Sequence, residues 1–169
     1  SRGLGDVYKR QILNHARDFV HIMTPYLILD GELLHALKFA AERGVDVSII
    51  MPGIPDKKSA YYLAKTYYPT LLASGVKIYE YTPGFVHSKT FVCDDEIATV
   101  GTINLDYRSL YLHFECGVWM YQSQAVREAK EDMEATLPKC KEVSLDFCNK
   151  RNIFVRGIQS IMRLIAPLL

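Results

Sequence analysis

The sequence lacks most of the features that mark metal-binding, nucleic-acid-binding or membrane-spanning proteins. It has only four cysteines in 169 residues, with no C-x-x-C pair and no Cys/His cluster of zinc-site spacing. The formal net charge is +1, which gives no bulk attraction for nucleic acid. No apolar run approaches the roughly 18–20 residues of a spanning helix. We therefore expect reduced thiols, no metal or other cofactor, and no nucleic-acid partner.

The composition is that of an ordinary globular protein, with 49% hydrophobic and 23% charged residues. The length fits one domain with a real core. Residues 1–11, SRGLGDVYKRQ, resemble translated sequencing-adapter sequence and are excluded from the fold argument, with a genuine segment leading into a helix as the alternative. The sequence also has no starting Met. We expect the chain to be the tail end of a longer protein.

Helices and strands alternate through the first half of the chain. Phe19 to Thr24 reads as a strand, and Asp30 is a suitable N-cap for the amphipathic stretch that follows it. Gly44 is a suitable helix stop before the buried strand VDVSIIMP. The segments AERGVDVSI and LASGVKIYE repeat this unit. The pattern predicts an α/β fold with a mixed, mostly parallel sheet flanked by helices.

The second half of the chain predicts a hairpin, a further strand and two helices. SKTFVCD and EIATVG are close enough to form a hairpin around Asp94, and Phe114 to Tyr121 reads as the next strand. AVREAKEDMEATL predicts a helix. Residues 147–169 form a tail, in which residues 152–169 predict a basic amphipathic helix that could lie on anionic lipid. The alternative is that this helix packs against the domain or against the missing half of the protein.

One stretch carries a chemical motif, HSKTFVCDDEIATVGTIN. It reads H-x-K-x4-D-x6-G-x2-N, from His87 and Lys89 through Asp94 and Gly101 to Asn104. Alternate residues of a strand share a face, so His87 and Lys89 point to the same side. Strand parity places Asp94 on the opposite face from Lys89, which favours a structural role for it. Gly101 allows a close backbone turn.

These residue types suit attack on a phosphodiester. His87 can act as nucleophile or as general acid. Lys89 can neutralise the non-bridging oxygens as charge builds in the transition state, and Asn104 can donate an amide N–H to the same oxygens. The alternative is a strand with a surface histidine and lysine, which does not explain the full set of five fixed positions.

The motif resembles the phospholipase D superfamily signature. GTINLDYRSLYLHFECGVWMY, IPDK, YTPGFVHSKTF and the terminal APLL are similar to the C-terminal half of bacterial cardiolipin synthases. The resemblance implies that Glu115 holds the catalytic histidine. It also includes Thr24-Pro25-Tyr26 at a strand end, where Tyr26 would contact substrate, with core packing and a turn as the alternative. Asp106 and Arg108 resemble family positions, and we expect them to form a buried ion pair.

The resemblance implies an enzyme that joins two phosphatidylglycerols into cardiolipin and releases glycerol through a phosphohistidine, without metal. It places the parent protein at the cytoplasmic face of a bacterial membrane. Residues 12–146 would be its phospholipase D-like domain. The family has two His-x-Lys motifs and this chain has one. By carry-over His87 would be the general acid, with the nucleophile in a missing N-terminal half.

Two other interpretations stay open. The chain could be a single-motif phosphodiesterase or nuclease that completes its site with a second copy of itself across a two-fold axis. That function would want a basic groove, which a net charge of +1 does not offer. The chain could also be an inactive fragment. A second His-x-Lys motif in the upstream coding sequence would decide for the two-motif enzyme.

Overall fold

The structure is a computed structural model that describes residues 4–149 and Met162. Its helices and strands follow in this order: α1 (Leu4–His15), β1 (Phe19–Met23), α2 (Gly31–Glu42), β2 (Asp46–Pro52), α3 (Lys58–Ala64), α4 (Tyr68–Ala73), β3 (Lys77–Tyr81), β4 (Thr90–Cys93), β5 (Ile97–Gly101), a π-helical turn (Arg108–Leu112), β6 (Gly117–Tyr121), α5 (Gln124–Thr136), a 3₁₀ turn (Leu137–Lys139), β7 (Cys140–Glu142) and α6 (Leu145–Asn149).

The repeated unit in the first half forms the parallel part of the sheet. β1 pairs with β2 and β2 with β3, both in parallel. Asp30 caps α2 as predicted, since its carboxylate accepts the Leu33 N–H at 2.7 Å. Gly44 and Gly75 both have φ above +90°, the left-handed conformation that lets each helix end directly before a strand.

The second half of the sheet is antiparallel, and this corrects one part of the prediction. The α/β class is confirmed, but a mostly parallel sheet is wrong. In the seven-stranded order β6-β5-β4-β1-β2-β3-β7, the strands β4, β5, β6 and β7 all pair antiparallel. The turn at Asp94 and Asp95, both with positive φ, closes the predicted β4–β5 hairpin. A short connection of this kind can only join antiparallel strands.

The two faces of the sheet are covered unequally. The larger core lies on one face, beneath α1 to α4, and includes buried side chains such as Val47, Leu37 and Phe91. The smaller core lies on the other face, where Val126 and Met133 of α5 pack on the sheet. α5 contacts β4, β5 and β6, so it covers the antiparallel half.

The two terminal segments of the chain also carry predictions. Residues 4–11 lie within α1, where Lys9 is buried and its ammonium donates to the Ile103 carbonyl at 2.7 Å. The prediction that residues 1–11 derive from an adapter concerns their origin, which no contact tests. The predicted amphipathic tail helix lies outside the described residues, except for Met162. Met162 is helical and partly buried, and it packs against the larger core, a contact that agrees with the alternative of packing against the domain.

Candidate active site

The motif residues other than Asp94, together with their predicted neighbours, lie where several strands of the sheet begin or end side by side. The register places the end of β1 beside the start of β4, and the start of β4 beside the end of β5, which in turn meets the start of β6. His87 and Lys89 precede β4, and Asn104 follows β5. Tyr26 follows β1, and Glu115 precedes β6. Five residues that are far apart in sequence therefore converge through the topology of the sheet.

His87 and Lys89 lie in the connection that leads into β4, just ahead of the strand itself. The Gly101 N–H donates to the Lys89 carbonyl at 3.3 Å, which continues the pairing with β5 as far as Lys89. The Lys89 ammonium donates to the His87 carbonyl at 2.6 Å, so the lysine folds back over the histidine backbone. His87 is exposed, and its ring centre lies 5.4 Å from that of Phe85.

Lys89 is in a partly desolvated environment with several acidic neighbours. Burial lowers the pKa of Lys89, while the carboxylates of Glu115, Asp106 and Asp56 act in the opposite direction. A cation removed from bulk water interacts more strongly with an anion placed beside it. This environment suits a lysine that must stabilise charge on a phosphate.

Asn104 is joined to Glu115 through Ser109. The Asn104 amide Nδ2 donates to Ser109 Oγ at 3.0 Å, and Ser109 Oγ donates to Glu115 Oε1 at 2.9 Å. Thr102 Oγ1 donates to the other carboxylate oxygen. Asn104 Oδ1 is buried without a hydrogen-bond partner in the described chain. The chain Asn104–Ser109–Glu115 therefore fixes the amide and the carboxylate relative to each other.

The expected hydrogen bond between Glu115 and His87 is not among the contacts of residues 4–149. Glu115 instead contacts the imidazole of His113, whose Nδ1 lies 3.8 Å from Glu115 Oε1. Glu115 is still close enough to Lys89 to act on its pKa. Within this chain, the carboxylate is held by Thr102 and Ser109, and the role predicted for it toward His87 stays a prediction.

Asp94 lies at the far end of β4 from the rest of the motif, about 16 Å along the chain from Lys89 at the usual strand rise. Its carboxylate accepts the backbone N–H groups of Arg17, Asp18 and Phe19 at 2.8–3.0 Å. Burial would raise the pKa of Asp94, but these three N–H groups together lower it. These contacts tie the β4–β5 turn to the start of β1.

Gly101 is required by the close approach of two chain segments. A Cβ at this position would lie 2.6 Å from the Cα of Gly117 and closer still to the carbonyl oxygen of Cys116. Any side chain would push β6 away from β5. Gly101 therefore keeps the segment that carries Glu115 beside the segment that carries Asn104.

A polar cavity of about 150 Å³ opens beside Asn104. Its polar lining comprises Tyr26, Lys57, Asn104, Asp106, Arg108, Ser109, His113 and Glu115. The expected buried ion pair between Asp106 and Arg108 is wrong: Arg108 is exposed, and no carboxylate of the described residues lies within 4.0 Å of its guanidinium. Asp106 instead accepts the Ser109 N–H at 2.8 Å.

A second, larger cavity of about 420 Å³ adjoins the polar one, with which it shares Ser109, His113 and Glu115. Val118 and Trp119 of β6 contribute apolar lining. Around it, the edge of the molecule exposes large apolar side chains: Phe114 is 94% exposed and Leu112 is 56% exposed. A surface of this kind is unusual for an isolated monomer.

Sequence reasoning missed Ser109, Thr102, His113 and Lys57 as parts of this site. Ser109 and Thr102 stand beside Asn104 in the motif segment, but the contact of each with Glu115 depends on the turn after β5. Lys57 belongs to IPDK, which was noted as a resemblance without a role. The signal for Lys57 was therefore present, but the sequence did not show which residues it faces.

Within residues 4–149, no group of three or more His, Cys, Asp or Glu side chains is arranged to hold a metal ion. None of the described helices is long and apolar enough to cross a membrane.

The sequence of this chain also matches a known protein family. A family model described as "Cardiolipin synthase, PLD-like domain" matches residues 10–137. A Streptococcus mutans protein is 60% identical over 158 residues, which cover 94% of this chain and 34% of that protein. Cardiolipin synthase 2 of Bacillus anthracis is 42% identical over 154 residues, 91% of this chain and 30% of its own length. The chain spans about a third of these curated relatives.

Two solved structures share the fold at 18% sequence identity. Phosphatidylserine synthase from Haemophilus influenzae matches with a TM-score of 0.77, over 99% of this chain and 46% of that chain. Nuc from Salmonella typhimurium, a phospholipase D family member, matches with a TM-score of 0.72, over 83% of this chain and 91% of that chain. The same fold therefore occurs both in a chain about twice the matched length and in a chain of nearly the matched length.

Proposed function

The chain belongs to the cardiolipin synthase, phospholipase D-like domain family, and we propose that it supplies one half of a two-motif phosphatidyltransferase. Two phosphatidylglycerols would be converted into cardiolipin and glycerol. The observation that carries this proposal is the convergence of His87, Lys89 and Asn104 at one edge of the sheet. The named relatives support phosphatidyl transfer between phospholipids in general.

In the proposed reaction a histidine of the missing half attacks the phosphorus of the donor lipid. The P–O bond to glycerol breaks, and His87 gives its proton to the leaving glycerol oxygen. The acceptor hydroxyl then attacks the phosphohistidine, transferring its proton to His87, and the P–N bond breaks. Lys89 and Asn104 stabilise the non-bridging oxygens in both steps. The opposite assignment, with His87 as nucleophile, uses the same groups in exchanged roles.

The proposed partner half would cover the apolar edge around the site. Phe114 and Leu112 flank His113, and Val118 is 60% exposed on the edge strand β6. Large apolar side chains beside polar catalytic groups are typical of a surface that another body covers. The short span of this chain relative to its curated relatives agrees with a missing N-terminal half.

A second copy of the chain is the alternative partner. The likeness to Nuc favours it, since that chain is matched over 91% of its length and is thus of similar size. The chain would then act as a single-motif phosphodiesterase or nuclease through a homodimer. An inactive fragment is the third outcome.

The test is the conversion of labelled phosphatidylglycerol by the longest form that the gene encodes and by the 169-residue chain. His87→Ala should abolish cardiolipin formation, while His35→Ala, an exposed histidine on α2, should not. The shorter chain should be inactive as a monomer, and any activity should fall on dilution. Constant specific activity at dilutions where the chain is monomeric would contradict the need for a partner.

We further propose that the basic tail, residues 147–169, contacts anionic lipid and holds the parent protein at the cytoplasmic face of the membrane. The support is its sequence, in which Lys150, Arg151, Arg156 and Arg163 accompany an apolar periodicity. Removing residues 150–169, which leaves the packed helix α6 in place, should reduce binding to phosphatidylglycerol vesicles without reducing binding to uncharged vesicles.

A further inference from the structure

The polar cavity beside Asn104 is lined by two cationic side chains that form no ion pair with a carboxylate of the described residues. Lys57 and Arg108 both line it, and no acidic group of the described chain lies within 4.0 Å of either cation. Lys57 Nζ lies 5.6 Å from the centre of the Tyr26 ring, a cation–π contact that orients the side chain without neutralising it. Both side chains are exposed to solvent.

The acidic groups around the cavity already have donors. Asp56 accepts the Tyr26 hydroxyl, and Asp106 accepts the Ser109 N–H. Glu115 accepts hydroxyl groups from Thr102 and Ser109. Asp106 and Glu115 keep their charge in the cavity lining, but their oxygens already accept hydrogen bonds from neutral donors. The side-chain donors of Lys57 and Arg108 have no acceptor among the described residues, and free cationic donors of this kind favour a ligand with anionic acceptor oxygens.

The proposed reaction requires a second anion site. In the second step the phosphate of the phosphohistidine and the phosphodiester of the acceptor phosphatidylglycerol occupy the active centre together. The motif residues Lys89 and Asn104 serve the phosphate that reacts. The phosphate of the acceptor lies one glycerol unit from its attacking hydroxyl, and the cavity that Asn104 shares with Lys57 and Arg108 adjoins the motif.

We propose that Lys57 and Arg108 bind the phosphodiester of the acceptor lipid and thereby select an anionic lipid alcohol over free glycerol or water. The planar guanidinium can donate two N–H groups to one phosphate, and the lysine adds a point charge. A volume of about 150 Å³ suits a headgroup and leaves the acyl chains outside. This inference rests on the proposed function.

The experiment compares transfer to an anionic acceptor with transfer to uncharged acceptors, and it uses the longest form that the gene encodes. Transfer to phosphatidylglycerol is measured as cardiolipin. Reaction with uncharged acceptors is measured as incorporation of labelled glycerol into phosphatidylglycerol and as hydrolysis to phosphatidic acid. Arg108→Gln and Lys57→Met should each lower cardiolipin formation about tenfold, as expected for one charge-assisted contact. Glycerol incorporation and hydrolysis should change less than about twofold.

Arg127→Gln on α5 is the matched control, because its guanidinium contacts only Gln124 on the same helix among the described residues. Arg108→Lys should retain part of the cardiolipin activity, since it keeps the positive charge but loses the paired N–H donors of the guanidinium. Equal loss of all three reactions would overturn the proposal, because it would place Arg108 in the fold or in the contact with the other half. Unchanged cardiolipin formation would overturn it as well.

Binding of glycerol 3-phosphate tests the site without turnover. The wild-type protein and His87→Ala should bind it, while the Arg108→Gln, Lys57→Met double variant should bind at least about tenfold more weakly. Glycerol serves as the uncharged probe, and inorganic phosphate distinguishes a headgroup site from a free phosphate site. Intact binding in an enzyme that makes no cardiolipin would refute the proposed function alone. Equal binding by the wild type and the double variant would refute the acceptor site alone.

Discussion

The central strand β2 and the edge strand β6 differ in how completely they are buried. Six of the seven residues of β2 are buried, whereas four of the five residues of the edge strand β6 are exposed. The motif and its supporting residues belong mainly to the antiparallel half and the turns around it. The central strand is thus part of the packed scaffold, whereas the edge strand β6 lies beside the candidate site and leaves apolar side chains exposed.

Substituting the motif lysine should have the largest effect, and it should act on turnover alone. Lys89→Met keeps a side chain of similar bulk but removes the cation, and the rate should fall roughly 10²–10³-fold, or about 3–4 kcal/mol in the transition state. The melting temperature should stay near that of the wild type. Lys38→Met on α2 is the control. A loss smaller than tenfold would make Lys89 a surface residue and remove the chemistry from this half.

A matched pair of valines tests the difference in packing directly. Val47 of β2 is fully buried and Val118 of β6 is 60% exposed. Val47→Ala should lower the free energy of unfolding by about 2–3 kcal/mol through lost burial and a cavity. Val118→Ala should cost less than about 0.5 kcal/mol. Urea unfolding of the 169-residue chain measures both. Similar costs for the two would show that β6 is packed against a second copy in solution.

The parts of the fold that the sequence predicted correctly are those set by local signals, and the parts that it missed depend on long-range pairing. The βαβ units were visible because glycine stops and apolar strands are local signals, as at Gly44 and Gly75. The hairpin at Asp94 was also local, yet extending the parallel pattern beyond β3 was wrong, because the order of strands depends on pairings across the chain. The short strand β7 was missed because it exists only through its contact with β3.

The candidate site shows the same division. Spacing alone predicted His87, Lys89 and Asn104. The orientation of Glu115 depends on Thr102 and Ser109 at once, and no periodicity encodes that meeting. The sequence therefore allowed the candidate residues to be named, whereas the contacts that surround them were visible only in the structure.

Breaking the Asn104–Ser109–Glu115 link should have an intermediate effect. Glu115→Gln keeps the shape but removes the charge that acts on Lys89, and the rate should fall about tenfold to hundredfold. Ser109→Ala should give a similar loss if Glu115 acts by positioning Asn104, and a smaller one if it acts on an imidazole. The pH profile of the rate distinguishes these, since only the second role shifts it. Glu131→Gln on α5 should be silent.

Asp94 should have the smallest effect, on stability and without loss of turnover. It joins the two halves by accepting three N–H groups at the start of β1, far from the site. Asp94→Asn should therefore cost about 1–2 kcal/mol of unfolding free energy at pH 7. Asp95→Asn should cost less than about 1 kcal/mol, since Asp95 only makes an exposed ion pair with Lys130. Folded Asp94→Asn should turn over at the wild-type rate.

The pH dependence follows from the direction of the Asp94 pKa. Folding lowers this pKa, so the stability that the carboxylate adds is fully present above the unfolded value near ~4 and is lost as the pH falls through the folded value. The difference between wild type and Asp94→Asn should be constant from pH 7 to pH 5 and should shrink at lower pH. A difference that persists unchanged at pH 3 would mean that the charge is irrelevant. A large loss of turnover in the folded variant at pH 7 would return Asp94 to the chemistry and weaken the separation between scaffold and site.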